Sequence, residues 1–336
     1  MKICVVGAGA IGGLMGVKLA LAGEDITFID QGAHLAAIRE RGLKLISPDG
    51  GAHVVDNVTA TDRLEDVGPQ DLVILAVKAH YLESVAPRIP ALLGPETAIL
   101  TVQNGIPWWY FHKHGGAFDG RRLDSLDPTG VLGKNIDGDR IIGCIVNAAA
   151  EVTEPGVIRH VEGDRMPIGE LDGKETERAQ KIYDALVAAG FRSRVLDDVR
   201  AEIWLKAWGN LSFNPISALC HATLEEICQF PDTRKLAATM MGEAQDIAHK
   251  LGIEFRHTIE KRIAGAESVG AHKTSMLQDV EWGRSLEIEA LMGAILELGR
   301  LTDTPSPAIA AVYACVKLLN KVMVTRGVGV RVNAAA

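Results

Sequence analysis

Two groups of residues in this chain have types and spacings that could do chemistry. The first is Gly7-Ala8-Gly9-Ala10-Ile11-Gly12, which directly follows the apolar run Lys2 to Val6 and opens a stretch with helical spacing, Ile11 to Leu21. In that setting Gly7 permits a tight turn, Gly9 lets the backbone approach a ligand, and Gly12 allows close helix-to-strand packing. Free N–H groups and the positive end of the helix dipole would face an anion, so these six residues are expected to receive the pyrophosphate of a dinucleotide. Asp30 follows a second strand-like run, Asp25 to Ile29, and stands 18 residues after Gly12. That is close to the ~20 expected of a carboxylate that hydrogen-bonds an adenosine ribose. A carboxylate there repels a 2′-phosphate, and Gln31 brings no positive charge to offset it, so the local electrostatics favour NAD(H). The alternative is that Asp30 only opens the Asp-Gln-Gly turn.

The second group is Lys206, Asn210 and Asn214, spaced i, i+4 and i+8 within Ala201 to Cys220. On a helix these share one face, drifting about 40° per step. A lysine and two amides on one stripe could be a solvated edge or could be functional; periodicity alone leaves both readings open.

The elements that must hold these groups can be read from the rest of the chain. Its 336 residues exceed the roughly 250 to 300 at which a single core stops growing, so two domains are expected. With 47% hydrophobic and 23% charged residues, the composition is that of a globular protein. A net charge of -8 argues against a nucleic-acid surface, which needs clustered Lys and Arg, and points to a small-molecule partner. The five cysteines, Cys4, Cys144, Cys220, Cys228 and Cys315, are scattered, with no CxxC pair and no His at metal spacing. Neither a zinc site nor a disulfide framework is expected, and a reducing cytoplasm is. The N-terminus lacks the features of a signal peptide, and no apolar run of the ~18 residues typical of a membrane span is evident.

Further strands are expected at Leu72 to Val77, Ala98 to Val102 and Ile141 to Val146, where continuous apolar runs suit a parallel sheet covered on both faces. Glu151 to Glu170, with its Pro and Gly turn signals, reads as an antiparallel extension of that sheet. A helix over Glu175 to Ala189 and a short strand at Arg194 to Leu196 complete the first domain, residues 1–197. From Asp198 on, helical periodicity dominates, as in Arg234 to Leu251 and Leu286 to Leu301, so residues 198–336 are expected to form a helical domain. The apolar helices after Leu286 allow packing within one subunit or across a homodimer. The segment Pro107 to Gly138, rich in aromatics, Gly and charge, reads as a long functional or mobile loop that covers a cleft or joins a subunit interface.

The second group is also the strongest resemblance in the chain. A Lys followed four and eight residues later by Asn is similar to the signature of the ketopantoate reductase family. Ser275 to Ile288 (SMLQDVEWGRSLEI) resembles that family's second signature, a Ser before Met-Leu-Gln-Asp and a Glu twelve residues after it, here Ser275 and Glu287. Gln103-Asn104-Gly105 resembles its Asn-Gly element, and Lys78 its cofactor-side lysine. The resemblance implies a Rossmann-type, doubly wound α/β domain followed by an all-helical domain of the 6-phosphogluconate-dehydrogenase type, with the active site in the cleft between them. It implies reduction of the ketone of 2-dehydropantoate to (R)-pantoate, a step toward pantothenate and coenzyme A. By the same resemblance Lys206 is the general acid and Glu287 binds the substrate hydroxyl. Asn210, Asn214 and Ser275 contact the substrate, and Asn104 lies close to both nicotinamide and substrate.

The chemistry suits these residue types. Hydride delivery to a ketone builds negative charge on oxygen, which an ammonium can stabilise and then protonate. Arginine stays protonated and is a poor acid. Local readings compete: Ser275 with Gln278 has the form of a capping box, Glu281 and Glu289 compete with Glu287, and Lys78 could be a solvated strand end. The chain departs from the family at Asp30-Gln31, where NADP-dependent members carry an Arg; the family default is therefore NADP(H) and the local charge favours NAD(H). Two other functions stand against ketopantoate reduction. One is an NAD-dependent dehydrogenase of another branched 2-oxo or 2-hydroxy acid such as mandelate, motivated by Asp30 and by Trp108, Trp109, Tyr110 and Phe111. The other is a dinucleotide-sensing protein without catalysis.

Overall fold

The β-branched run at the start of the chain forms β1 (Lys2–Val6), and the glycine turn leads through α1 (Ala10–Leu21) to β2 (Asp25–Ile29) and α2 (Gly32–Arg41). The computed structural model describes residues 1–331. It divides into one unit of Met1–Gln103, Trp109–Arg122 and Asp127–Val199, and a second of Asn104–Trp108, Leu123–Leu126 and the described residues from Arg200 on.

The first unit continues with β3 (Leu43–Ile46), β4 (Ala52–Val55), β5 (Thr59–Thr61), β6 (Gln70–Leu75), α3 (Leu82–Val85), β7 (Leu93–Thr101), α4 (Val131–Asn135), β8 (Ile141–Cys144), β9 (Asn147–Glu154), β10 (Val157–Arg165), β11 (Ile168–Glu170) and α5 (Glu177–Ala188). Seven strands form the main sheet in the order β11-β8-β7-β6-β1-β2-β5. All its pairs are parallel except β11 with β8. Side chains alternate across it: Ile3, Val5, Leu72, Ile74 and Leu100 join the core shared with α1 and α5. Cys4, Val73 and Ile99 lie in the opposite register and are also fully buried. A sheet covered on both faces is what the continuous apolar runs imply. Burial pushes the Cys4 thiol up to about 12, which makes it an inert core residue.

Glu151 to Glu170 does not simply extend this sheet. Only β11 does so; β9 and β10 instead pair with β3 and β4 in a separate four-stranded sheet, order β4-β3-β10-β9. The β3-β4 hairpin has a local signal, Ser47-Pro48-Asp49-Gly50-Gly51, whose Gly51 N–H donates to the Asp49 carboxylate at 3.0 Å. Its four-residue strands are too short for a periodicity reading. α1 touches both sheets through small residues: a Cβ at Gly16 would stand 2.2 Å from the Phe28 ring of the main sheet, and one at Gly13 would stand 2.7 Å from Ile158 of the second. The expected strand at Arg194 to Leu196 is reduced to isolated bridges, with Val195 beside Ile168.

The Pro107 to Gly138 segment is not an open loop. Trp109, Tyr110 and Phe111 are buried, and the Trp109 indole N–H donates to Thr101 Oγ1 at 3.0 Å. The buried Asp127 carboxylate accepts the Leu132 and Gly133 N–H groups, each at 3.0 Å, and so caps α4.

The second unit is helical among the described residues: α6 (Val199–Cys220), α7 (Leu224–Gln229), α8 (Pro231–Lys250), α9 (Ile259–Glu267), α10 (Ser275–Glu281), a π-helical segment Glu289–Gly293, α11 (Ala294–Leu301) and α12 (Pro307–Arg326). The expected helix at Leu286 to Leu301 thus begins with a π turn. α6 is fixed by its far side. Trp204 and Trp208 are fully buried against Phe255, and the Trp208 indole donates to the Met241 carbonyl at 2.7 Å. α12 corrects the reading that no apolar run approaches a membrane span. Its 20 residues reach a mean hydropathy of 1.5 over the most apolar stretch, only 22% of which is buried. By length and composition alone it could cross a bilayer.

Candidate active site

In the first unit the glycine turn is built as a cradle. Gly7 has φ +100, and a Cβ there would stand 2.8 Å from the Val77 nitrogen. One at Gly12 would stand 1.9 Å from the Gly7 carbonyl oxygen, whereas nothing lies within 4 Å of the position a Gly9 side chain would take. Gly9 caps α1 without a side-chain acceptor, so the first amides of the helix face open space that an anion fits. Asp30 belongs to this turn: its carboxylate accepts the Ala8 N–H and the Gln31 N–H, each at 2.8 Å. It therefore both opens the Asp-Gln-Gly turn and sets its charge beside the cradle, so the two readings of Asp30 are compatible.

The turn has a further brace that sequence reasoning missed. The Gly156 N–H donates to His34 Nδ1 at 3.1 Å, which leaves the ring proton on Nε2, and Nε2–H donates to the Ala8 carbonyl at 2.9 Å. His34 thereby ties the glycine turn to the β9-β10 hairpin, a link across 122 residues that no local motif announces. Lys78 follows β6 in the same unit, half-buried at the start of a short 3-10 turn.

In the second unit Lys206 and Asn104 meet, with Nζ donating to the Asn104 side-chain oxygen at 2.6 Å. Asn104 is held by its own turn. Gly105 has φ +86, and a Cβ there would stand 2.2 Å from the Ala290 carbonyl oxygen. The Ile106 N–H donates to that same carbonyl at 2.9 Å. The receiving carbonyl lies in the π-helical segment, a geometry frequent at functional sites. Glu287 stands just before that segment, half-buried, and the Asn320 side chain accepts the N–H of the preceding Leu286 at 3.0 Å. The carboxylates that compete with it have other work. Glu281 pairs with Lys273 at 2.6 Å, and Glu289 accepts from the Tyr313 hydroxyl and pairs with Lys317 at 3.1 Å.

Asn210 is half-buried and Asn214 is buried. Neither amide has a hydrogen-bond partner among the described residues. The two amides share the Lys206 stripe of α6 and are open to a ligand or to water. Ser275 is exposed on the first turn of α10, and the capping reading is corrected: the cap is Thr274, whose hydroxyl accepts the Leu277 N–H. Glu297 was also missed. It is buried and accepts the Asp124 and Ser125 N–H groups, each at 2.8 Å, which seats the Leu123–Leu126 piece in this unit.

A glycine cradle at a helix start in a parallel sheet, together with a helical unit that presents a lysine and uncommitted amides, defines a nicotinamide-dinucleotide-dependent oxidoreductase. Residues 3–173 match the family described as ketopantoate reductase PanE/ApbA, and residues 198–320 match its C-terminal part. A 2-dehydropantoate 2-reductase of Mesorhizobium japonicum is 50% identical over 320 residues, 95% of this chain and 98% of that protein. The chain belongs to the ketopantoate reductase family. A solved ketopantoate-reductase-type structure from Ralstonia solanacearum MolK2 superposes with a TM-score of 0.92 at 38% identity, covering 97% of this chain and 99% of that one. D-mandelate dehydrogenase with NADH and anilino(oxo)acetate shares the fold, with a TM-score of 0.83 at 24% identity over 96% of this chain and 99% of that one.

The pinning of Asn104 generates a prediction. Gly105→Ala forces a Cβ into the Ala290 carbonyl and should displace Asn104 from Lys206, lowering kcat by roughly 10- to 100-fold while cooperative thermal unfolding is retained. Turnover within twofold of the parent would show that the turn does not position the site.

Proposed function

We propose that this chain reduces the ketone of 2-dehydropantoate to (R)-pantoate, on the route to pantothenate and coenzyme A, in the cytoplasm. The observation that carries the reading is the Lys206–Asn104 hydrogen bond, beside two uncommitted amides. A bound nicotinamide supplies the hydride. Lys206 stabilises the negative charge that develops on the ketone oxygen and gives it the proton. Asn210, Asn214 and Ser275 donate neutral hydrogen bonds to the substrate, and the Glu287 carboxylate accepts from its hydroxyl. Asn104 fixes the Lys206 ammonium until substrate arrives. Residues 7–12 receive the pyrophosphate, with Lys78 on the cofactor side.

For the choice of dinucleotide the reading is NADH. The Asp30 carboxylate, held against the Ala8 N–H, accepts from a ribose hydroxyl and repels a 2′-phosphate. Trp109, Tyr110 and Phe111 are buried, which weakens the support these rings lend to an aromatic, mandelate-like substrate.

The partner of the exposed face of α12 is read as a second copy of the chain. Leu318 is 63% and Val324 56% exposed, and only 22% of the most apolar stretch of α12 is buried.

Kinetics with 2-dehydropantoate and benzoylformate, each with NADH and NADPH, test the reaction. The expected result is (R)-pantoate formed from 2-dehydropantoate, NADH preferred, and discrimination against NADPH narrowed about tenfold in Asp30→Ala, by loss of one like-charge repulsion. Preference for benzoylformate would overturn the substrate, and a parent that prefers NADPH would overturn the cofactor. By sedimentation, the parent should run as two chains and Leu318→Glu as one; a single-chain parent would contradict the dimer.

A further inference from the structure

Both backbone polar groups of Ala8, inside the glycine turn, are held. The N–H donates to the Asp30 carboxylate at 2.8 Å, and the carbonyl accepts from His34 Nε2 at 2.9 Å. A Cβ at Gly13 would stand 2.9 Å from the Ala8 carbonyl oxygen, so a side chain there would crowd the oxygen that the ring reaches.

The ring hangs from a fixed support. His34 lies in α2, whose Leu35, Ala37 and Ile38 are buried, and its Nδ1 accepts the Gly156 N–H at 3.1 Å. Gly156 is held in turn. Its carbonyl accepts the Lys44 N–H at 2.9 Å, the Pro155 carbonyl accepts from Arg41 Nη2 at 2.8 Å, and a Cβ at Gly156 would stand 2.9 Å from that of Ala37. The Gly156 N–H can only donate and the Ala8 carbonyl can only accept, so one neutral tautomer in one orientation fits both.

Peptide geometry carries this constraint to the cradle. Among the described residues there is no cis peptide bond, and in a trans peptide the C=O and N–H point in opposite directions. The Ala8 carbonyl and the Gly9 N–H share one such plane, so a ring that holds the carbonyl aims the Gly9 N–H away from His34. That N–H has no hydrogen-bond partner among the described residues, and nothing lies within 4 Å of the position a Gly9 side chain would take. A donor without a partner, aimed away from the packed side of the turn at a helix start, suits an anion.

We propose that His34 is a positioning residue for the dinucleotide: by holding the Ala8 carbonyl it sets the Ala8–Gly9 peptide so that the Gly9 N–H faces the pyrophosphate. The inference rests on the reading of residues 7–12 as the pyrophosphate cradle. It gives the second sheet, through the β9-β10 hairpin and one imidazole, a part in cofactor binding.

Amide side chains separate the two bonds of the ring. Glutamine places its amide where Nε2 lies and can donate to Ala8, whereas asparagine places its own where Nδ1 lies and can accept from Gly156. Calorimetric Kd values for NADH, ADP and adenosine, measured on the whole chain, test the proposal. His34→Asn and His34→Ala should weaken NADH and ADP roughly 5- to 10-fold, the worth of one neutral hydrogen bond, and leave adenosine, which has no phosphate, unchanged. His34→Gln should bind all these ligands as the parent does, while its Tm falls as far as that of His34→Asn, since each variant keeps one bond and loses the other. The Gln and Asn variants carry the test if His34→Ala does not fold. Equal affinities in those two variants, or adenosine weakened along with ADP, would overturn the proposal and leave His34 a structural tie. A parent that binds NADPH more tightly than NADH would overturn the cofactor choice alone, because ADP lacks the 2′-phosphate and reports on the brace either way. A parent that binds neither ADP nor a dinucleotide would overturn the cradle, and the proposal with it.

Discussion

The helical unit depends on one charge-assisted hydrogen bond, from Lys206 Nζ to the Asn104 side-chain oxygen at 2.6 Å. Each end is fixed by different means. The lysine is aimed by the apolar far side of α6, where Trp204 and Trp208 pack on Phe255, so the helix cannot roll without exposing two indoles. The asparagine is aimed by backbone alone, because Gly105 has no side chain and the Ile106 N–H is bound to the Ala290 carbonyl. Such a bond is worth about 1.5 to 3 kcal/mol. It holds the Lys206 ammonium against the Asn104 side chain.

Around this bond the unit sorts its polar groups into two kinds. Glu281, Glu289, Glu297 and Glu202 have partners that lock helix to helix or helix to loop. Asn210 and Asn214 have none among the described residues. Groups left without partners in a partly buried setting are unfavourable for stability. Asn210 and Asn214 follow Lys206 by four and eight residues on the same face of α6.

Much of this was legible in the sequence because it is local. The glycine turn announces itself by six consecutive residues, and Lys206, Asn210 and Asn214 by helical spacing. Their placement is the expected one: Gly7, Gly12 and Asp30 belong to one turn, and Lys206, Asn210 and Asn214 lie on one helix. What escaped is long-range or context-dependent. His34 looks like an ordinary helix residue until Gly156 and Ala8 are seen on its two ring nitrogens. The β3-β4 hairpin carried a turn signal, but its partner β10 lies more than a hundred residues downstream, so the second sheet could not be told from an extension of the first.

The most direct measurement is a double-mutant cycle on kcat with 2-dehydropantoate and NADH, using Asn104→Ala, Lys206→Ala and the pair. If Asn104 acts by holding the ammonium, Lys206→Ala lowers kcat by roughly 10² to 10³, and adding Asn104→Ala lowers it no further than about twofold. Two losses that multiply would mean that the residues act independently and that the bond is not the organising feature of the site.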